Sequence, residues 1–484
     1  MCAQKIIEIT NGVTRQPLFR MQEPVNLTIT SDGPVAIIGP NGGGKSMLVD
    51  ILTGAHPLLQ TEPQYDFSPS LSNKVSENLK YITFHDTYGD VSGAAYYQQR
   101  WNHGDTSDSP TIRELLSYRQ DTTIATQQRL MEILQIDALL DKQLIMLSSG
   151  ELRRYQLAKA LQTTPRVLII DNPYIGLDKQ ARNEVNVLLH HITSQQLCML
   201  ILVVSRPEDI PSFITKVIEV KNKKVYEYDS RKQNDDNYYI KQEPGAIESL
   251  LQAHSLHTAN NNTSAEVIHC NHINISYGNR TILKDFCWTV NAGEKWALSG
   301  ENGAGKSTLL SLVYADNPQG YACDIALFGK KRGSGESIWD IKKRIGYVSP
   351  EMYRAYKKNL PTIHIVASGL HDSVGLYKQP TQRELAQCEW WMDLFGISAL
   401  KDRPYLTLSN GEQRLALLVR AFVKDPELLI LDEPLHGLDN QNRTMARNII
   451  QTFSTQVGKT LIMVSHYEDE YPECITHKLY LKRN

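Results

Sequence analysis

The strings GPNGGGKS at residues 39–46 and GENGAGKST at residues 300–308 decide the fold of this chain. Each string follows a short apolar run, at residues 35–38 and 296–298, and each leads into a helical pattern. A glycine-rich loop between a buried strand and a helix lets backbone N–H groups surround phosphate oxygens, and the helix N-terminus favours negative charge there. The two strings therefore predict α/β domains with phosphate-binding loops (P-loops).

The P-loops are part of an internal repeat of four motifs. The strings LSSGE and LSNGE begin 108 residues after the first glycine of their P-loops, at Leu147 and Leu408. An apolar run ends in an aspartate 132 residues after that glycine in both copies, and a GLD string ends after 139 residues in both. Four motifs at matched spacing indicate a duplicated domain rather than a solenoid of short units.

The boundaries of the two copies follow from composition. We predict a first domain at residues 1–228 and a second at 266–484, each of ordinary domain size. Residues 229–265 between them are polar and rich in turn-forming residues, which predicts a linker, with a short helical pattern at residues 246–254. A second polar stretch at residues 86–110 predicts a surface insertion in the first copy.

The composition favours globular, cytoplasmic domains. A hydrophobic share of 41% and a charged share of 21% are typical of folded proteins, and a net charge of −2 gives no electrostatic case for nucleic acid as the main partner. Seven scattered cysteines without a CxxC pair indicate free thiols rather than a metal site or a disulfide framework. No signal peptide or transmembrane segment is predicted, so a membrane component of any transport process must come from another chain.

The P-loops and the strand aspartates predict two sites for ATP and Mg²⁺. The lysine of each P-loop is expected to reach the β- and γ-phosphates, and the following serine to offer a hydroxyl to the metal. The predicted nucleotide-binding residues are Gly39, Pro40, Asn41, Gly42, Gly43, Gly44, Lys45 and Ser46 in the first copy, and Gly300, Glu301, Asn302, Gly303, Ala304, Gly305, Lys306, Ser307 and Thr308 in the second. The predicted Mg²⁺ ligands are Ser46, Asp171, Ser307 and Asp432.

The two copies differ at the residues that would activate water. Glu433 follows the strand aspartate of the second copy and can accept a proton from water, whereas Asn172 stands there in the first copy and has no titratable carboxylate. After a later apolar run the second copy has His466, which can contact the γ-phosphate and the base. The first copy has Arg206 instead, whose shape and reach differ. Catalytic residues are therefore predicted to be complete only in the second copy.

These motifs together make the chain resemble the ABC ATPase superfamily. The resemblance covers both halves and rests on the P-loops, the LSSGE and LSNGEQ signatures, the aspartate-ended strands, the GLD strings and His466. It implies two P-loop ABC domains of the α/β class, each with a mixed sheet core, helices and a helical signature subdomain. It also implies that the domains pair head to tail, within one chain or between two chains, with each ATP between one P-loop and the opposite signature.

The resemblance assigns residues to two composite sites. The implied catalytic residues of the complete site are Lys306, Glu433 and His466 with Ser148 and Gly150 of the first signature. The other site combines Lys45, Asp171, Asn172 and Arg206 with Ser409 and Gly411, and it is expected to bind ATP but to hydrolyse it poorly. Tyr277 resembles the family's adenine-stacking aromatic residue, and Asn11 stands at the comparable place in the first copy.

A closer similarity is to the tandem ATP-binding proteins of the ModF type, and it is carried by residues 317–349 and the ending ECITHKL. This similarity implies an accessory cytoplasmic ATPase linked to molybdate transport. The glutamine that follows a YVSQ-like strand in the family is missing from residues 347–351 and from residues 82–86, which counts against ordinary coupling to an importer. Three readings stay open: the accessory ATPase, the energy-coupling subunit of a transporter with separate membrane chains, and a non-transport protein acting on ribosomes or DNA. Peripheral attachment at the inner face of the membrane stays open too.

Overall fold

A computed structural model describes most of the chain. The described residues are 4–83, 110–116, 131–144, 147, 149–174, 177, 179–227, 247–251, 265–277, 280–301, 303–356, 358–373 and 378–483. They divide into two compact units, the first containing the described residues up to 227 and the second those from 247 onwards. The insertion predicted at residues 86–110 lies outside the described residues except for its last position.

The first unit contains two sheets and five short to medium helices among its described residues. Its strands are β1 (Lys5–Gly12), β2 (Val25–Thr30), β3 (Val35–Ile38), β4 (Gln64–Tyr65), β5 (Leu79–Thr83), β6 (Val167–Asp171), β7 (Met199–Val204), β8 (Lys216–Lys221) and β9 (Lys224–Glu227). Its helices are α1 (Lys45–Thr53), α2 (Val75–Asn78), α3 (Ile112–Leu115), α4 (Ser149–Leu161) and α5 (Lys179–Ser194). The order β5-β6-β7-β3-β8-β9 forms a sheet that is parallel except for β9, and β1 lies antiparallel between β2 and β4.

The second unit repeats this plan. Its strands are β10 (Glu266–Tyr277), β11 (Arg280–Asn291), β12 (Lys295–Gly300), β13 (Ile325–Leu327), β14 (Lys330–Lys331), β15 (Ile345–Val348), β16 (Leu428–Asp432), β17 (Thr460–Val464) and β18 (His477–Leu481). Its helices are α6 (Lys306–Val313), α7 (Ile338–Lys342), α8 (Pro350–Ala355), α9 (Thr362–Ala367), α10 (Gln382–Leu394), α11 (Asn410–Phe422) and α12 (Asn440–Ser454). The order β15-β16-β17-β12-β18 forms a parallel sheet, and β11-β10-β13-β14 forms an antiparallel one.

Each parallel sheet is buried on both faces, which explains its continuous apolar strands. Along β16, Leu429 and Leu431 point into the core that contains the signature helix α11. The alternate residues Leu428 and Ile430 point into the core that contains the P-loop helix α6. The predicted α/β class is confirmed, and the period of two along each strand brings the P-loop and the signature subdomain to opposite faces of one sheet.

Part of the predicted linker contributes to the core of the second unit. Residues 247–251 are helical, within the helical pattern predicted at 246–254. Ile247 and Leu251 are 1% and 2% exposed and pack in the same apolar cluster as the helices α9 to α12. The neighbouring Leu250 is 43% exposed, so one face of this short segment is anchored while the other faces solvent.

Candidate active sites

Both P-loops turn on glycines in the left-handed backbone region. Gly42 and Gly44 have φ values of 73° and 108°, and Gly303 and Gly305 have values of 77° and 98°. Glycine adopts these conformations without strain, and it leaves no Cβ between the loop amides and a phosphate. Of the predicted nucleotide-binding residues, Asn302 lies outside the described residues.

The helix that follows each P-loop is suited to an anion. Helices α1 and α6 begin at Lys45 and Lys306, and their N-cap residues Gly44 and Gly305 provide no side-chain cap. The first-turn N–H groups therefore lack the usual side-chain acceptor, which is the arrangement that binds phosphate at helix N-termini. Ser46 and Ser307, the predicted metal ligands, are the second residues of these helices.

The two P-loop lysines are held in the same way. Each ammonium group donates to the carbonyl oxygens of the first two residues of its own loop. The bonds join Lys45 Nζ to Gly39 O at 2.6 Å and Pro40 O at 2.9 Å, and Lys306 Nζ to Gly300 O at 2.6 Å and Glu301 O at 3.0 Å. The phosphate-binding parts of the two copies are therefore equivalent in geometry, as their sequences predicted.

The strand aspartate of the first copy is buried and hydrogen-bonded. Asp171, 5% exposed at the end of β6, accepts hydrogen bonds from Asn172 Nδ2 at 2.7 Å and from the Tyr81 hydroxyl at 3.2 Å. Burial raises the pKa of Asp171 to about 6, although Lys45 and the Tyr81 hydroxyl act in the opposite direction. The amide of Asn172 thus donates a hydrogen bond to the neighbouring carboxyl group. Sequence reasoning missed Tyr81, and the only signal for it was its position on β5, beside β6.

Glu433 lies between two imidazoles. Its Oε1 is 2.9 Å from His466 Nε2, and its Oε2 is 3.1 Å from His436 Nδ1. The three side chains are 8–14% exposed. Burial alone would raise the pKa of Glu433, but the hydrogen bonds and the charge of His436 and His466 outweigh it and hold the pKa well below its usual value. The glutamate is therefore an ionised carboxylate with the histidine predicted beside it.

His436 was missed by sequence reasoning. It lies in the string LHGLD, and the matching string of the first copy, YIGLD, has Ile175 at that position. The available signal was a histidine three residues after Glu433, close enough to meet it across one turn. Nothing in the string alone showed that the imidazole points back to the carboxylate.

Arg206 takes the position of His466 at the end of β7. Its side chain is 8% exposed, and its Nε lies 3.7 Å from Glu208 Oε2 and 3.6 Å from Asp209 Oδ2. These carboxylates follow directly in the chain, so the guanidinium is paired with its own turn. The first copy therefore combines Asn172, hydrogen-bonded to Asp171, with an arginine that pairs locally.

The signature of the second copy begins helix α11. Ser409 caps the helix by accepting from the Glu412 backbone N–H at 3.4 Å, while Glu412 accepts from the Ser409 backbone N–H at 2.8 Å. Gly411 is buried in the first turn. In the first copy Gly150 lies in the first turn of α4, whereas the predicted catalytic Ser148 lies outside the described residues.

The predicted adenine-stacking Tyr277 ends β10, and its hydroxyl accepts a hydrogen bond from Asn317 Nδ2 at 2.8 Å. Asn11 is not its counterpart, because the spacing between the two P-loops aligns Asn11 with His272. The spacing between the two P-loops instead aligns Gln16 with Tyr277. The nearby ring of Phe19 stacks on His56 with centroids 4.1 Å apart, so an aromatic ring is present in this part of the first copy from a different sequence position.

The alignment of the two copies at the strand before the missing glutamine differs by one residue from the alignment predicted from the sequence. Strand β5 pairs with β6, and β15 with β16, so that Tyr81 lies beside Ile169 and Tyr347 beside Ile430. Tyr81 therefore corresponds to Tyr347, and the comparison of residues 82–86 with residues 347–351 was shifted by one. In the second copy Ser349 caps α8, which begins at Pro350, so a proline-led helix starts where the family has its glutamine.

The two halves also match a known family. The sequence profile described as "ABC transporter" matches residues 22–175 and again residues 283–436. The chain belongs to the ABC transporter family. It is a tandem ABC-type ATPase, with one ATP-binding domain matched in each half. Both matches span the P-loop and the strand aspartate of their copy.

Two curated ABC proteins are similar to this chain over nearly their whole length. The ABC transporter ATP-binding protein ModF of Escherichia coli (strain K12) is 35% identical over 98% of this chain and 96% of its own. An uncharacterized ABC transporter ATP-binding protein of Schizosaccharomyces pombe is 32% identical over 96% of this chain and 95% of its own. The resemblance to tandem ABC proteins of the ModF type is confirmed.

A search of solved structures finds a weaker likeness. The match is titled "Structure of a bacterial Atm1-family ABC exporter with ATP bound", with 20% identity and a TM-score of 0.38 over 46% of this chain and 39% of that one. This likeness supports no argument about function. Among the residues that the structure describes, no helix has the length and apolar character needed to cross a bilayer.

Proposed function

We propose that this ABC protein binds two ATP molecules with Mg²⁺ and hydrolyses ATP mainly at the site of its second P-loop. The observation that carries the proposal is the ionised Glu433 between His466 and His436, set against Asn172 and Arg206 in the first copy. A carboxylate can orient water and take its proton, whereas an amide cannot take it.

The roles of the second-copy residues follow from their chemistry. The loop amides and Lys306 hold the β- and γ-phosphates, and Glu433 accepts the proton of the attacking water. His466 lies 2.9 Å from Glu433, so it can orient the base, and we propose that it also contacts the γ-phosphate of bound ATP. The hydroxyl of Ser307 and the carboxylate of Asp432 are the oxygen ligands that Mg²⁺ prefers, and the metal would neutralise phosphate charge there.

The first copy is suited to holding ATP. Its P-loop has the same glycine conformations and the same lysine contacts as the second, so the residues that bind phosphate are in place. Its equivalent of the catalytic carboxylate is Asn172, whose amide is bonded to Asp171. We therefore assign this site a long-lived ATP, with Ser46 and Asp171 as the Mg²⁺ ligands.

Each site is proposed to need the signature of the other copy. Family membership supports this arrangement, because ABC domains act in head-to-tail pairs. Ser148 and Gly150 would then complete the site of Lys306, and Ser409 and Gly411 the site of Lys45. The helix N-terminus at each signature would offer N–H groups to a γ-phosphate.

The biological process is proposed from the similarity to ModF, which covers nearly the whole length of both chains. The similarity to ModF supports an ATP-binding protein of this type, and we propose the accessory role in molybdate transport that the resemblance implies. We place it in the cytoplasm, where the free thiols of its described cysteines are stable. The helix that begins at Pro350 in place of the family's glutamine favours this role over an ordinary importer subunit.

The test is Glu433→Gln in the full chain. We expect kcat for ATP to fall by about 10³-fold or more, with ATP binding retained, because the amide cannot accept the water proton. Steady-state hydrolysis and equilibrium nucleotide binding measure the two effects. Glu389→Gln is the matched control, since this half-exposed carboxylate of α10 forms a surface ion pair with Lys401 at 2.9 Å.

A Glu433→Gln protein that kept the wild-type rate would overturn the assignment of hydrolysis to the second P-loop. The same variant with ATP also offers a probe of process, because it should hold the closed state. Molybdate-transport proteins among its co-purified partners would support the proposed process, and ribosomes or DNA in their place would contradict it.

A further inference from the structure

Both carboxylate oxygens of Glu433 have a histidine partner. His466 follows β17 and holds Oε1, and His436 follows β16 and holds Oε2 at 3.1 Å from its Nδ1. His436 is 7% exposed, so this contact is shielded from bulk water. A hydrogen bond to an ionised group in such surroundings is stronger than a neutral one.

The backbone of His436 is itself fixed. Its carbonyl oxygen accepts a hydrogen bond from Arg414 Nη1 at 2.7 Å, and Arg414 belongs to the signature helix α11. The flanking Leu435 and Leu438 are fully buried. The turn that carries the imidazole is thus held between the apolar core and the signature helix, so the ring has a defined position.

The guanidinium of Arg414 extends this connection. It lies 4.7 Å from the ring centroid of Tyr353, whose hydroxyl donates to Asn410 Oδ1 at 3.3 Å. Asn410 is the first residue of α11 and part of the LSNGE signature. Contacts therefore run without a break from the signature of the second unit to the carboxylate of the same unit.

The first copy has none of the three side chains of this group. Asn172, Ile175 and Arg206 occupy the three positions that Glu433, His436 and His466 occupy in the second copy. An isoleucine has no donor for a carboxylate oxygen. The histidine and the carboxylate are therefore present together in the second copy and absent together in the first.

We propose that His436 is a positioning residue for ATP hydrolysis, which fixes the second oxygen of Glu433 and so the plane of the catalytic carboxylate. The proposal rests on the function proposed for Glu433. Each carboxylate oxygen has two lone pairs, so an oxygen bonded to an imidazole can still accept from a water. Fixing both oxygens prevents rotation of the carboxylate and directs a remaining lone pair to one place, which is how positioned bases gain rate.

The first test compares His436→Leu with His436→Asn in the full chain. Leucine removes the donor, whereas the amide Nδ2 of asparagine lies close to the place of the imidazole Nδ1. We expect kcat to fall about tenfold in His436→Leu, as for loss of one charge-assisted hydrogen bond, with KM for ATP changed less than about twofold. His436→Asn should recover most of kcat.

The second test is a double-mutant cycle with Glu433→Gln. If His436 acts through the carboxylate, His436→Leu should not lower the residual single-turnover rate of Glu433→Gln any further. His272→Leu, an exposed histidine paired with Asp285 at the surface, is the control and should leave kcat unchanged.

Three results would overturn the proposal. They are a wild-type kcat in His436→Leu, an equal loss in His436→Leu and His436→Asn, and an additive loss on top of Glu433→Gln. A Glu433→Gln protein that keeps its turnover would instead overturn the assignment of Glu433, whatever the His436 variants show.

Discussion

At the scale of single residues, the two copies differ in side chains rather than in backbone. Asn172 and Glu433 have φ values of 49° and 51°, and each donates its N–H to the strand that follows, to Val203 O at 2.8 Å and to Val464 O at 2.9 Å. The left-handed conformation is uncommon outside glycine and is kept in both copies. The difference in proposed activity therefore depends on what the side chains contact.

Asn172→Glu alone should not restore hydrolysis at the first site. In the Glu433→Gln background we expect a rate within about twofold of that background, because the new carboxylate would lie beside Asp171 and lack an imidazole. The substitution also removes the amide that donates to Asp171 at 2.7 Å. Single-turnover ATP hydrolysis measures the rate.

The informative comparison is the double variant Asn172→Glu with Arg206→His in the same background. It supplies the base and its imidazole together and should hydrolyse faster than Asn172→Glu. Recovery of a wild-type rate by Asn172→Glu alone would show that Arg206 can replace His466.

At this scale the sequence predicted that Glu433 and His466 form a pair, but it did not predict the other side chains around each site. The neighbourhood of Glu433 and His466 could be predicted, since both follow parallel strands whose carboxyl ends meet at one edge. His436 and Tyr81 could not be predicted in the same way, because a side chain's direction depends on its rotamer and packing, which a string of letters does not specify.

At the scale of elements, the signature helix α11 packs very closely on its neighbours. A Cβ at Gly369, in the 3-10 turn Ser368–His371, would lie 2.2 Å from Arg420 O and 2.8 Å from Arg420 Cγ. Arg420 also donates through Nε to Ser368 Oγ at 3.1 Å. The turn and the C-terminal half of the helix therefore share a contact that only a glycine allows.

Gly369→Ala should destabilise the second unit by about 1–3 kcal/mol, because the added methyl meets backbone rather than a movable side chain. Urea unfolding of the full chain measures the change. Gly320→Ala is the matched control, since its Cβ would lie 3.5 Å from Leu312 Cδ2, an ordinary contact. Equal stability of the two variants would contradict the close packing of α11.

The elements themselves were the most predictable part of the fold. Apolar runs ended by Asp171 and Asp432 became central parallel strands, because both faces of such strands are buried. Register was less predictable, and the shift of one residue between Tyr81 and Tyr347 shows why. Polar strand ends carry no period that fixes the alignment, and only the pairing with β6 and β16 supplies it.

At the scale of the whole molecule, residues 247–251 between the two copies do more than connect them, because they pack in the core of the second unit. Leu251→Ala should lower the stability of the second unit by about 2–5 kcal/mol, the usual cost of truncating a buried leucine. Leu250→Ala, one residue earlier and 43% exposed, is the control and should change stability little. Thermal unfolding of the full chain, followed through the transition of the second unit, measures both.

If Leu251→Ala and Leu250→Ala had the same effect, residues 247–251 would not belong to that core. The sequence concealed this contact because the surrounding composition is polar and turn-rich. Of the segment's apolar residues only Ile247 and Leu251, four residues apart, are buried in the core, and a segment this short does not establish a helical period. The boundaries at residues 228 and 266 remain predictions for the same reason.

The buried face of residues 247–251 has a consequence for dividing the gene. A half-length protein begun at residue 266, where the repeat itself begins, would lack Ile247 and Leu251 and would expose the apolar surface that they cover. A half-length protein begun before residue 246 would keep both residues. Splitting this chain into two independently translated halves, in the laboratory or by a natural fission of the reading frame, should therefore succeed only when the cut falls on the N-terminal side of residues 247–251.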